Sequence, residues 1–221
     1  MARAGRIVVV DYHKGNLSSV VRGISDAGGD AVASDSPDAI RSAAAVIVPG
    51  VGNFGDAMSY VRDSGQADAV RDALARGVPF LGICLGMQLL FERGNETGDG
   101  SWAEGLGVLP GSATRLESSR LKVPHVGWDQ IHLTPLGRAC PLFAGVPEGA
   151  NVYFTHSFAL ADDVPDEVVA ARTHYVRSFG SAVWRDNVYG VQFHPEKSSA
   201  AGLAILRNFV SLALGGTGGS R

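Results

Sequence analysis

"VPFLGICLGMQLLFERG", residues 78–94, passes from an apolar run with strand character straight into helix-forming residues, with Cys84 at the join. A buried strand (78–84) feeding directly into a helix (85–94) is the unit from which parallel α/β sheets are built. The segments upstream repeat the pattern. "RIVVVDY" (6–12) is a continuous apolar run suited to a strand covered on both faces. The stretch 16–29 then carries apolar residues at 17, 20, 21 and 24, a helical period closed by glycines. Strands are expected at 30–35 and 43–50, and helices at 54–65 and 66–77. From residue 102 the pattern changes to short strands with Gly, Pro and Asn turns, read as an antiparallel extension of the parallel sheet. An amphipathic helix closes the chain at 198–214, and the glycine-rich end, 215–221, is expected to be a flexible tail. Without repeats, linkers or low-complexity blocks, residues 1–214 read as one domain.

Composition sets limits on function. The 221 residues are 45% hydrophobic and 19% charged, an ordinary globular profile. A net charge of −3 gives no footprint for nucleic acid. The apolar run at 7–10 meets Asp11 too early for a secretory signal and is too short to span a membrane. Cys84 and Cys140 make no disulfide framework, and a free thiol fits a reducing cytoplasm. The histidines show no metal-ligand spacing, so no metal or other cofactor is expected.

Three stretches can carry chemistry. Gly82-Ile-Cys84-Leu-Gly86 follows a strand and opens a helix, the logic of the nucleophile elbow. The positive end of that helix favours a thiolate at Cys84, the amide of Leu85 can face a developing oxyanion, and the glycines give substrate and backbone room to approach. In "GVQFHPEKS" (190–198), His194 and Glu196 leave one face of an extended segment, as a base and the carboxylate that orients it. The loop Gly50-Val51-Gly52 lacks the spacing of a phosphate loop, but it can present a second oxyanion donor. Cys140, with no glycine elbow, reads as structural.

"GICLGMQLL" taken with "GVQFHPEKS" resembles the class I, triad-type glutamine amidotransferases. "DYHKGNLSSV" (11–20), "LKVPHVGWDQ" (121–130) and "YFTHSF" (153–158) narrow the likeness to the glutaminase subunits of imidazole glycerol phosphate synthases. It runs from residue 6 to about 212. It implies a flavodoxin-like α/β fold with a mostly parallel sheet, and a catalytic triad of Cys84, His194 and Glu196. It also implies that Gln88, Ser157 and Phe158 hold glutamine. Asn16, Lys122, His125, Trp128 and Tyr153 would face a partner, although the residues alone would make Trp128 and Tyr153 core aromatics. Where the family has D-Y-G-x-G-N, this chain has His13, strained if that position has positive φ.

The resemblance further implies glutamine hydrolysis in a heterodimer with a (β/α)₈ cyclase subunit. The cyclase would take ammonia to make imidazole glycerol phosphate and an aminoimidazole carboxamide ribotide in histidine biosynthesis. Free ammonia would be protonated in bulk water, so it must travel sheltered. Glutaminase activity is expected to stay low until the partner binds its ligand, with the "PGVG" peptide (49–52) as the switch. The alternatives are a glutaminase of another pathway, or a non-enzymatic redox or stress protein on the same scaffold.

Overall fold

Ile7, Val8, Val9 and Val10 are all buried, so the first strand is sandwiched between two layers. The computed structural model describes residues 6–13 and 15–215, and the expected tail beyond Gly215 lies outside the described residues. Strand β1 (Ile7–Val10) is followed by helix α1 (Leu17–Asp26), capped by the Asn16 side chain. Next come β2 (Ala31–Ser34), the short α2 (Pro37–Ser42) and β3 (Ala45–Val48). Helices α3 (Phe54–Asp63) and α4 (Gln66–Ala75) lead to β4 (Phe80–Ile83). Alternate residues of these strands feed two cores, one on each face. Val9, Ile47 and Leu81 pack with Ile24 and Phe209, while Val8, Val10 and Val46 pack with Ile40 and Phe54.

The helix expected at 85–94 is one turn long, α5 (Leu85–Gln88), and the chain then forms β5 (Phe91–Gly94). The reason is tertiary. Residues 85–91 are all buried, leaving no polar face for a surface helix, and a returning segment takes their carbonyls. Leu106 donates to the Leu89 carbonyl and Val108 to that of Leu90, each at 2.8 Å. Strands β6 (Ala103–Glu104) and β7 (Leu109–Arg115) then flank β5.

The remaining elements are β8 (His125–Leu133), α6 (Pro135–Ala139), β9 (Ala150–His156), β10 (Phe158–Leu160), β11 (Val169–His174), β12 (Ser178–Arg185), β13 (Val188–Val191) and α7 (Ser199–Ala213). Among the described residues the main sheet has the order β2-β1-β3-β4-β13-β12-β11-β8-β9. Its first five strands are parallel in the flavodoxin-like order, and the last four continue it antiparallel. The antiparallel extension is thus as expected. A second, four-stranded sheet, β10-β7-β5-β6, was not anticipated.

This topology places the carboxyl ends of β1, β3, β4 and β13 side by side, where open α/β sheets bind ligands. Those ends lead into residues 11–13, 49–53, 84–85 and 192–196.

Candidate active site

Cys84 has φ 55° and ψ −112°, a backbone conformation that a residue with a side chain adopts only under strain. The elbow is enforced by contact between backbones. A Cβ on Gly82 would sit 2.6 Å from the Gly86 carbonyl oxygen, and one on Gly86 would sit 1.7 Å from that of Val48. The two glycines therefore let the turn fold back on itself and onto β3; they are not room for a substrate, as their sequence position suggested. The turn presents Cys84 to a cavity of about 270 Å³, lined also by Val51, Gly52, Leu85, Gln88, Glu96, Thr155, His156, Ser157 and Phe158. The helix behind the sulfur is a single turn, so less of a dipole stands there than the sequence implied.

His194 and Glu196 lie just beyond β13, and Nδ1 of His194 is 2.8 Å from Oε1 of Glu196. Both side chains are almost fully buried. The short 3₁₀ turn Pro195–Lys197 holds them there, and the His194 amide donates to the Tyr153 carbonyl at 2.9 Å. Burial by itself would lower the imidazole pKa, but hydrogen bonding and charge from Cys84 and Glu196 outweigh it and raise it to about 9. Nε2 makes no hydrogen bond of ordinary geometry, yet Cys84 is near enough to act on the ring's charge. A buried histidine between a thiol group and a carboxylate can release a proton as imidazolium and take one back as imidazole.

Gln88 is buried, which excludes a solvated helix glutamine; its Nε2 donates to the Phe158 carbonyl and to Oε1 of Gln192, each at 2.9 Å. Gly50 stands behind the cavity wall, and a Cβ there would lie 2.0 Å from the Tyr12 hydroxyl and 3.0 Å from the Leu85 Cβ. Buried Tyr12 donates its hydroxyl to the Pro49 carbonyl at 2.7 Å, anchoring the start of the glycine loop. His13 does adopt positive φ (59°), with its amide bonded to the Asp11 carboxylate at 2.8 Å and its ring edge-on to Tyr60. Cys140 is buried and its pKa is pushed up to about 12 by that burial, as befits an inert thiol.

The residues expected to face a partner divide. Trp128 is 53% exposed and pairs across the strands with Tyr153, their rings 6.0 Å apart, so neither is the core aromatic that their residue types suggested. Lys122 and Asn16 are exposed, Asn16 also capping α1. His125 is not on that surface: it is 3% exposed, stacked between Phe154 and Tyr175. On a strand, positions 125 and 128 leave opposite faces, which sends His125 inward. Its Nδ1 lies 3.2 Å from Nε2 of His156, whose Nδ1 in turn donates to the Phe158 carbonyl at 2.8 Å. Burial holds His156 neutral, its pKa down to about 3.

Two residues escaped the sequence reading. Glu96 lines the cavity, and burial raises its carboxyl pKa to about 7 against the opposing effects of Arg115 and the Phe54 amide. Gln192 is fully buried, with Nε2 3.5 Å from the Cys84 sulfur. Its only signal was its place two residues before His194.

The model of the glutamine amidotransferase class-I family matches residues 8–212. The chain belongs to this family. Among relatives of this amidotransferase, "Imidazole glycerol phosphate synthase subunit HisH" of Chloroflexus aurantiacus is 44% identical over 206 residues, covering 92% of this chain and 94% of the relative. The subunit of the same name from Moorella thermoacetica is 44% identical over 208 residues, covering 93% and 94%. A crystal structure titled glutamine amidotransferase shares the fold at 21% identity and a TM-score of 0.70, covering 93% and 98%. The glutaminase domain of Trypanosoma brucei CTPS with bound acivicin does so at 15% and 0.66, covering 95% and 94%.

Proposed function

We propose that the amidotransferase uses Cys84, His194 and Glu196 to hydrolyse glutamine, and that it does so as the glutaminase subunit of an imidazole glycerol phosphate synthase. The buried 2.8 Å His194–Glu196 pair beside a strained cysteine carries this reading, and the names of the relatives give the pathway. The thiolate attacks the side-chain amide carbon of glutamine, and the charge that develops on oxygen meets the amides of Leu85 and the Gly50–Gly52 loop. His194, protonated, gives its proton to the leaving ammonia, and Glu196 keeps the ring oriented. Neutral His194 then draws a proton from water, which cleaves the glutamyl thioester and releases glutamate. Glutamine and water thus become glutamate and ammonia.

Glu96, the acidic side chain in the cavity lining, pairs with the α-ammonium group of glutamine, and Gln88, Ser157 and Phe158 complete the substrate wall. The partner is a cyclase subunit with a (β/α)₈ barrel, seated over exposed Trp128, Lys122 and Asn16 and half-buried Tyr153. Ammonia passes to it sheltered from water, in a single cytoplasmic heterodimer built on one amidotransferase domain.

The test is a glutaminase assay of wild type and Cys84→Ala, with and without the cyclase and its nucleotide ligand. Wild-type turnover that rises on adding both, and is absent in the variant, is expected. Turnover that survives in Cys84→Ala contradicts the reading.

A further inference from the structure

Gln192 is completely buried, and both ends of its side chain are engaged. Strands β4 and β13 run parallel with Ile83 opposite Val191, so the next residues, Cys84 and Gln192, emerge side by side. The Cys84 amide donates to the Val191 carbonyl at 2.8 Å, which fixes the two chain ends together. From there the Gln192 side chain reaches the sulfur with Nε2 at 3.5 Å and Gln88 with Oε1 at 2.9 Å.

The direction of this amide is dictated by chemistry. The Phe158 carbonyl can only accept, so the group of Gln88 that lies 2.9 Å from it is its NH₂. The second N–H of that same nitrogen points at Gln192, which must answer with its oxygen. Reversing Gln192 would set two donors against each other, so its NH₂ faces the sulfur. Besides His194, whose ring feels the charge of Cys84, Sγ has the Thr155 carbonyl at 3.9 Å, an acceptor that suits only the thiol. The nearer partner suits the thiolate.

We propose that Gln192 is a further catalytic residue: its side-chain N–H stabilises the Cys84 thiolate, and its other end ties that thiolate to Gln88 on the substrate wall. This deepens the glutaminase reading and rests on Cys84 being the nucleophile. When sulfur attacks, its electron pair enters the new S–C bond and the carbonyl pair moves onto oxygen, so the N–H loses its charged acceptor. Gln192 therefore acts on the population of thiolate before attack more than on the barrier after it.

The test is alkylation of Cys84 by iodoacetamide in the full-length chain, followed by mass spectrometry from pH 5 to 10. Gln192→Met keeps length and removes the donor, whereas Gln192→Glu keeps an acceptor for Gln88. A lost hydrogen bond to a charged group moves the pH of half-maximal alkylation upward by roughly one to two pH units in both variants. A midpoint that stays at the wild-type value in Gln192→Met, whatever happens to turnover or in the charged Gln192→Glu, overturns the inference and leaves Gln192 a packing residue. If Cys84→Ala still hydrolyses glutamine, the failure lies in the underlying reading instead.

Discussion

Replacing Gly86 by alanine tests how the elbow is built. The new Cβ would stand 1.7 Å from the Val48 carbonyl oxygen, whereas real Cβ contacts essentially never fall below 3.0 Å. One backbone or the other must move by about 1.3 Å, the difference between those two distances. Neither moves freely, since Val48 belongs to a buried strand of the main sheet and Gly86 follows strained Cys84 by two residues. Overpacking of a rigid site costs about 3 kcal/mol at the upper end, which lowers Tm by roughly 6–12 °C in a chain of this size. Displacing the sulfur by about 1 Å costs on the order of 10²-fold in turnover. Thermal melting and glutamate release measure the two effects. Gly98→Ala is the control, because nothing lies within 4 Å of its Cβ and its φ is not positive. Should Gly86→Ala melt and turn over like Gly98→Ala, the packing account of the elbow is wrong.

Three further outcomes are expected. Glu196→Gln removes the carboxylate that orients His194, and turnover falls by ~10²-fold or more, as in other triads that lose their acid. Because His194 has its pKa raised to about 9, kcat/KM declines as pH rises through that value, and the decline begins at lower pH in Glu196→Gln. The same shift stabilises the fold: the contribution is complete below about pH 6.5, the unfolded value, and is lost as pH rises through about 9, so melts of wild type and Glu196→Gln converge at alkaline pH. Glu96, its pKa raised to about 7 by burial, loses its charge as pH falls through that value, so KM for glutamine rises over the same range, and Glu96→Gln abolishes this dependence.

The sequence showed the parallel half of the fold clearly because β1, β3 and β4 are covered on both faces, and a short apolar run between turn residues has few other uses. "LGMQLLFERG" misled for a related reason. It is composed like a helix, and only the return of residues 105–109 onto the carbonyls of Leu89, Leu90, Phe91 and Glu92 makes its second half a strand. The candidate triad was legible in two short motifs; Cys84 opens onto the cavity, and the buried His194–Glu196 pair packs close enough to it to act on its charge. Glu96 was not legible, since a glutamate in "ERGNETGDG" looks like any solvated loop residue until the fold turns it inward. His125 could have been placed by strand parity alone: three residues from exposed Trp128, it had to face the other way.

Covalent trapping of the nucleophile tests the central claim most directly. The chain is incubated with a glutamine analogue that alkylates thiols, digested and mapped by mass spectrometry. An adduct on Cys84, suppressed by excess glutamine and abolished in Cys84→Ala, is the expected result. An adduct that glutamine does not suppress, or one that falls on Cys140, would contradict the account.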